Sequence, residues 1–196
     1  MRRRNVALIS FGVFAFATVL FLGWRRDTTN TFEAPFQPGG EITADLSTGG
    51  YTIRGTTENV IRIEVDDPSQ LPDVRSEVKV SGNSAKVAVE GPHSEFHVTI
   101  YVPQRSNINA FQSIGQLRLV NVEGNKSLSL NIGQIRVEVP DPAKIKSVNA
   151  SARIGEVHAN AWHRGHGGFF PSFRASGTGQ YSVYASVDIG QVELGD

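Results

Sequence analysis

The sequence predicts an all-β protein: an irregular β-solenoid of stacked short β-coils that follows one N-terminal transmembrane helix. Three observations support this prediction. A short glycine-centred phrase recurs in the second half of the chain, hydrophobic residues alternate with period two over much of the chain, and an apolar run lies near the N-terminus. The predicted organisation is a cytoplasmic start with a membrane anchor over residues 1–26, a linker over residues 27–40 and a β-domain over residues 41–196.

The apolar run covers residues 6–24, from Val6 to Trp24, and contains only two polar residues. As an α-helix it would be about 28 Å long, close to the thickness of a bilayer's hydrocarbon core. Three arginines precede the run and two follow it, which predicts a single-pass cell-membrane protein with its N-terminus in the cytoplasm. The domain that follows would then be extracytoplasmic, in the periplasm or at the cell surface. A cleaved signal peptide, with its cleavage site at residues 15–17, and a buried helix of a soluble domain are the alternatives.

Composition excludes several classes of function. The chain of 196 residues has no cysteine, so a disulfide framework, thiol catalysis and a cysteine-ligated metal are impossible. Five of the 19 basic residues lie in the first 26 positions, which leaves 14 basic against 19 acidic residues in the remainder, a net charge of −5. Because no basic patch with interleaved aromatic residues is present, we expect no binding to nucleic acid.

The recurring phrase is Ile-Gly-Gln or Ile-Gly-Glu, and a degenerate fifth copy is centred on Gly49. The four clear copies lie at residues 114–116, 132–134, 154–156 and 189–191. Counted from each glycine, the predicted inward positions are −5, −3, −1, +2 and +4. Since the parity changes at the glycine, we expect each glycine to be a bulge or corner where the strand bends and keeps its core face inward. Coils of about 20 residues fit a solenoid, whereas a conventional β-sandwich, the alternative, has no need for a repeated phrase.

The residues directly after these glycines are predicted to point outward. They are Gln116, Gln134, Glu156 and Gln191. In coils stacked in register their side chains would form a ladder with a spacing of about 4.8 Å. Such a ladder is either a ligand-binding strip or a stabilising amide ladder on a solvated face.

A glycine-rich insertion over residues 162–179 contains four aromatic residues, Trp162, Phe169, Phe170 and Phe173. If they are exposed, they indicate contact with a partner or a membrane. If they fold back, they cap the open end of the stack. The same segment contains His163 and His166, but no third ligand is close in sequence, so we predict neither a metal nor a cofactor.

Motifs for catalysis are scarce. The chain has no Gly-x-Ser-x-Gly elbow and no phosphate-binding Gly-Lys-Ser/Thr loop. The acidic residues Asp66, Asp67, Asp188 and Glu193 are not spaced as the paired carboxylates of a glycosidase. We therefore predict a protein without enzymatic activity, and a polysaccharide hydrolase or lyase is the minor alternative.

These phrases resemble one known family. Gly-Gly-Tyr-Thr-Ile at residues 49–53, the Ile-Gly-Gln/Glu rungs and the closing Gly-Gln-Tyr-Ser-Val at residues 179–183 are similar to the bacterial putative-adhesin, toast-rack-like β-strand repeat domain of unknown function. The resemblance covers roughly residues 30–196. It implies a bacterial and often membrane-tethered envelope protein, and it supplies no catalytic residues. The chain departs from the family in having one N-terminal anchor and no recognisable regulatory domain.

The expected function is that of a membrane-anchored, extracytoplasmic, non-catalytic binding or adhesion surface in the cell envelope. Its partner would be an envelope glycan or cell-wall material. The alternative is an envelope sensor or regulatory module that acts through a membrane protein. The candidate binding residues are Gln116, Gln134, Glu156, Gln191, Trp162, Phe169 and Phe170.

Overall fold

The computed structural model describes residues 31–92 and 96–195, and in these ranges nearly all regular structure is β. The strands are β1 Thr31–Pro35, β2 Glu41–Thr56, β3 Val60–Val65, β4 Arg75–Ser81, β5 Ser84–Glu90, β6 His97–Pro103, β7 Asn107–Val120, β8 Lys126–Val137, β9 Ile145–Ala159, β10 Arg164–Phe169, β11 Ser172–Ser176 and β12 Tyr181–Leu194. Short 3₁₀ helices lie at Pro68–Asp73, Pro142–Lys144 and Asn160–Trp162. The all-β prediction is confirmed.

Five long strands form the centre of the sheet, in the spatial order β2, β7, β8, β12 and β9. They are parallel, and their repeat glycines lie side by side as Gly49, Gly115, Gly133, Gly190 and Gly155. We call this row the glycine crease. All five glycines have positive φ angles, from 127° to 151°. A Cβ atom on Gly133 would lie 1.8 Å from the carbonyl oxygen of Gly115, so this position requires glycine.

The crease divides each long strand into two halves that enclose one core. In β8 the inward residues are Leu128 and Leu130 before the glycine and Ile135 and Val137 after it, each at most 2% exposed. All four belong to a single hydrophobic cluster that extends from Phe36 to Leu194. The predicted change of parity at the glycine, with positions −5, −3, +2 and +4 inward, is confirmed in all five strands.

Position −1 is different, and the prediction that it points inward was wrong. In the four clear repeats this residue is isoleucine, and each is between 43% and 47% exposed: Ile114, Ile132, Ile154 and Ile189. The physical reason is the bend itself. A residue directly before the corner lies outside the space between the two halves, so its side chain stays half-exposed.

The predicted irregular solenoid is not confirmed. In a solenoid successive coils stack in chain order, whereas here β12, the last strand, lies between β8 and β9. The chain passes from β9 into β10 and β11, which pair antiparallel with the outer edge of β9. The final strand then fills the remaining position between β8 and β9, pairing parallel with both.

Shorter strands cover both ends of the stack. At one end β5 and β6 pair with the two halves of β2, and β3, β4 and β1 lie outside them. Residues 31–35, which the sequence analysis assigned to the linker, form β1, and Phe36 is only 2% exposed. At the other end β11 and β10 pair with the first and second halves of β9.

Within the described ranges, no helix has the length and apolar character needed to cross a membrane. The predicted anchor at residues 6–24 lies outside the described residues.

Candidate functional site

The most distinctive surface is a row of four half-exposed isoleucines along the outside of the glycine crease. In spatial order they are Ile114, Ile132, Ile189 and Ile154, each in register with the next. We call this row the isoleucine ridge. With a strand spacing of about 4.8 Å it is roughly 14 Å long. A contiguous apolar surface of this kind marks a contact site more often than scattered exposed residues do.

Polar residues border the ridge on both sides. The position before each isoleucine is occupied by Ser113, Asn131, Asp188 and Arg153. The position after each glycine is occupied by the predicted strip, Gln116, Gln134, Gln191 and Glu156, in that spatial order. The structure therefore brings these four predicted candidates together on adjacent strands, directly beside an apolar ridge that the sequence analysis placed in the core.

The central members of the polar strip bond to one another. The Gln134 Nε2 atom donates to Gln191 Oε1 at 3.0 Å and to Glu193 Oε2 at 3.3 Å. The Glu156 carboxylate is 2.8 Å from His158 Nε2. Gln116 forms no side-chain hydrogen bond within the described part of the chain. The Gln134–Gln191 bond is a stabilising contact between neighbouring strands at the centre of the strip, whereas Glu156 bonds within its own strand.

Ion pairs cross the neighbouring strands. Arg136 Nη2 is 2.7 Å from Glu193 Oε2, and Arg153 Nη2 is 3.0 Å from Asp188 Oδ1. Each of the two acidic residues of β12 therefore forms an ion pair with an arginine of an adjacent strand.

The β10–β11 end of the stack separates the four aromatic residues of the insertion into two groups. The rings of Trp162 and Phe173 lie 5.4 Å apart and pack against the core, so these two form the cap. Phe169 and Phe170 are 78% and 74% exposed. Phe169 pairs with Ile154, and it therefore continues the isoleucine ridge to the end of the stack.

Strands β10 and β11 carry two arginines and no acidic residue, and Glu156 of β9 lies beside Gly167 of β10. Arg164 and Arg174 are exposed and form no ion pair within the described ranges. The chain contains no acidic residue between Glu156 and Asp188. His163 and His166 are also exposed, and the described residues place no group of three metal-ligating side chains together.

Lys126 is a buried cation that the sequence analysis missed. It is 6% exposed, and its Nζ donates to the carbonyl oxygen of Gly124 at 2.9 Å. Burial lowers the pKa of the Lys126 amine to about 8, and the negative charge of Glu123 opposes this effect. Lys126 pairs in register with Ile108 and Val183, seven residues before Gly133. Extending the inward positions by one more step, to −7, would have found it.

A cavity of about 300 Å³ lies beside Lys126, and two of the asparagines that line it accept hydrogen bonds from backbone N–H groups. The Asn125 Oδ1 atom accepts from the backbone N–H of Ser182 at 2.9 Å. The Asn107 Oδ1 atom accepts from the backbone N–H of Asn125 at 2.9 Å. These amides tie the starts of β7, β8 and β12 together, which is a structural role.

Comparison with known proteins gave no matching family model. No curated protein matched either. Among solved structures, a putative cell adhesion protein from Clostridium sporogenes is similar at 12% identity and a TM-score of 0.49, over 84% of this chain and 97% of its own. A putative adhesin from Bacteroides fragilis is similar at 10% identity and a TM-score of 0.35, over 84% and 95%. A putative lipid binding protein from Parabacteroides distasonis has 10% identity and a TM-score of 0.23, over 85% and 94%.

The solved structures that resemble this chain thus include putative adhesins, the class that the sequence motifs indicated. Their TM-scores are all below 0.5.

Proposed function

We propose that this protein is a membrane-anchored, extracytoplasmic, non-catalytic module that adheres to a non-protein component of the bacterial cell envelope. Its contact surface is the isoleucine ridge. The observation that supports this proposal best is the register of the crease, which places four half-exposed isoleucines in one unbroken row. A soluble domain gains nothing from leaving such a row in water, whereas covering it removes apolar surface from solvent.

The ridge is rigid before it meets a partner. Its isoleucines lie on strands that are paired on both sides, next to glycines whose close backbone contacts determine the bend. The Gln134–Gln191 hydrogen bond and the Arg153–Asp188 ion pair hold the adjoining side chains. Because little conformational freedom is left to lose, binding through this surface carries a small entropic cost.

The proposal is tested by co-sedimentation with isolated cell envelopes. A protein of residues 27–196, which contains the whole hydrophobic cluster, is mixed with untreated envelopes and with envelopes stripped of protein by protease. We expect retention on both. The double substitution Ile132→Ser with Ile189→Ser should reduce retention several-fold. Phe111→Ser serves as the matched control, since Phe111 is 45% exposed but lies four residues before its glycine, away from the ridge.

Two results would contradict the proposal. Retention that is unchanged in the double variant would exclude the ridge as the contact surface. Retention that disappears after protease treatment would identify a protein partner and would favour the sensor or regulatory alternative.

A further inference from the structure

We propose that the β10–β11 end of the domain binds an anionic lipid bilayer, with Phe169 and Phe170 entering the headgroup region. This inference rests on the proposed function, because it names the envelope component that the ridge contacts. We call this end, residues 163–176, the aromatic tip. Backbone geometry, the continuity of the apolar surface and charge support lipid binding at this tip.

The backbone holds the two phenylalanines outward. Phe170 has a positive φ of 55°, and its N–H donates to the carbonyl oxygen of Arg153 at 2.9 Å. The carbonyl oxygen of Pro171 accepts from the N–H of Ala152 at 3.0 Å. The turn between β10 and β11 is thus bonded to β9 at two adjacent residues just before Gly155. Trp162 and Phe173 are half-buried against the core, whereas Phe169 ends β10 and Phe170 follows it in the turn, where both rings are exposed.

The apolar surface continues beyond the tip. Phe169 lies next to Ile154 in register, and the other three isoleucines of the ridge follow on successive strands. The result is a narrow apolar band rather than a pocket. A band of this shape is suited to an extended apolar partner such as the headgroup–acyl boundary of a bilayer, where phenylalanine and aliphatic side chains are commonly buried.

Charge favours an anionic surface. Arg164 begins β10, five residues before Phe169, and Arg174 lies on β11, four residues after Phe170. Neither arginine has an acidic partner within the described ranges. Of the nearest acids, Asp188 forms an ion pair with Arg153. Glu156 lies opposite Gly167 of β10 at the border of the tip, and its carboxylate is 2.8 Å from His158 Nε2. Residues 27–196 carry a net charge of −5, so the tip is a local cationic region on an otherwise acidic domain. Exposed basic residues beside inserted aromatic residues are the ordinary means by which proteins bind anionic lipids.

The tip is far from the N-terminal end of the domain. Strands β1 and β10 are the two ends of the strand order, separated by about 40 Å at a spacing of about 4.8 Å per strand. Lipid contact at the tip is therefore a second attachment, separate from the segment that precedes β1.

The experiment measures how close the tip comes to lipid. The full chain has no cysteine, so Ser172→Cys introduces one labelling site beside the tip for an environment-sensitive fluorophore. The labelled chain is reconstituted in vesicles of phosphatidylcholine, alone or mixed with phosphatidylglycerol, that contain lipids carrying a quencher. Ser81→Cys, on β4 at the opposite end of the stack, provides the matched reference label.

We expect quenching of the Ser172→Cys label to rise at least about twofold when phosphatidylglycerol is present, while the reference label changes little. Phe169→Ser with Phe170→Ser should remove this increase. Arg164→Gln with Arg174→Gln should reduce it to the value in phosphatidylcholine alone. Phe111→Ser should leave it unchanged, and thermal unfolding of each variant checks that the domain is intact.

The inference is overturned if quenching does not depend on phosphatidylglycerol, or if it persists without the two phenylalanines. Emission that depends on protein concentration rather than on lipid would identify a second copy of the chain as the occupant and would also overturn it. The two proposals fail separately. Ridge-dependent retention on stripped envelopes, without lipid contact at the tip, would leave the adhesion function intact and assign it to glycan.

Discussion

At the scale of single residues, two positions determine much of the behaviour of this domain. Gly133 lies in the middle of the crease with a φ of 136°, and the carbonyl oxygen of Gly115 occupies the space that a Cβ atom would need. Lys126 lies in a row of inward positions that are aliphatic in the strands paired with β8, and it is only 6% exposed. The glycine supports the fold, and the lysine weakens it near neutral pH.

Gly133→Ala should destabilise the domain by about 3 kcal/mol or more, because it combines backbone strain with a clash against a fixed strand. Gly168→Ala is the matched control. Gly168 also has a positive φ, 116°, but no atom lies within 4 Å of its added Cβ. We expect this control to lose only about 1 kcal/mol. Urea denaturation of both variants measures the difference, and equal losses would show that strain alone, without the close strand contact, maintains the crease.

Lys126→Met should change how stability depends on pH. The folded-state pKa of Lys126 is lowered to about 8, below its ordinary value of 10.5. Between these values the unfolded chain holds a proton that the folded protein has released, so the stability of the native protein rises with pH in this window. Below about pH 8 both states are protonated, and the full penalty of the buried charge is present.

We therefore expect the advantage of Lys126→Met over the native protein to shrink by about 2 kcal/mol between pH 7 and pH 10. Urea denaturation at both pH values measures it. Lys146→Met, at an exposed position on β9, is the control and should show no such change. An advantage that stays constant across this range would mean that the amine keeps its proton inside the fold.

At the scale of elements, each of the five long strands changes its inward face at the glycine, and four of them turn an isoleucine outward just before it. In β8 the inward Ile135 is 0% exposed and the ridge residue Ile132 is 44% exposed, although both are isoleucines three positions apart. Sequence pattern treats these residues alike. Only the direction of the bend separates the core position from the contact surface.

Ile135→Ala should cost about 2–5 kcal/mol of stability, as a large-to-small substitution in a core does. Ile132→Ala removes the same atoms from a half-exposed position and should cost less than about 1.5 kcal/mol. Equilibrium denaturation of the two variants measures both losses of stability. Similar losses of stability in the two variants would mean that the ridge isoleucines are buried in the core. They would then not form the proposed contact surface.

At the scale of the whole molecule, the final strand β12 completes the centre of the sheet. It lies between β8 and β9 and pairs with both along nearly its full length. The order of strands thus differs from chain order, and the domain depends on its last residues for the middle of its core.

Engineered disulfides test this strand order, since the chain has no cysteine of its own. The hydroxyl oxygens of Ser129 and Ser186 lie 3.4 Å apart on neighbouring strands, so Ser129→Cys with Ser186→Cys should form a disulfide on oxidation. Ser129→Cys with Ser151→Cys should not, because β12 separates these positions by about 10 Å. Thiol titration after oxidation measures both. A disulfide in the second pair would show that the coils stack in chain order.

Four features could be predicted from the residues alone: the β-class, the alternating buried faces, the change of parity at each repeat glycine and the alignment of the four strip residues. These follow from local rules, since side chains alternate along a strand and a repeated phrase bends each strand at the same point. Part of the candidate site was predictable in the same way: Phe169 and Phe170 stood out as aromatic residues in a glycine-rich segment, and the strip was found from its register.

Four other features became visible only in the folded domain. These features depend on which strands become neighbours. They are the position of β12, the outward ridge at position −1, the strand at residues 31–35 and the separation of Trp162 and Phe173 from the two exposed phenylalanines. Pairing between distant strands is chosen by the free energy of the whole sheet, because every pair must bury its apolar face and satisfy its backbone groups at once. A local pattern contains no information about that choice, and for this protein it is the choice that places an apolar ridge at the surface.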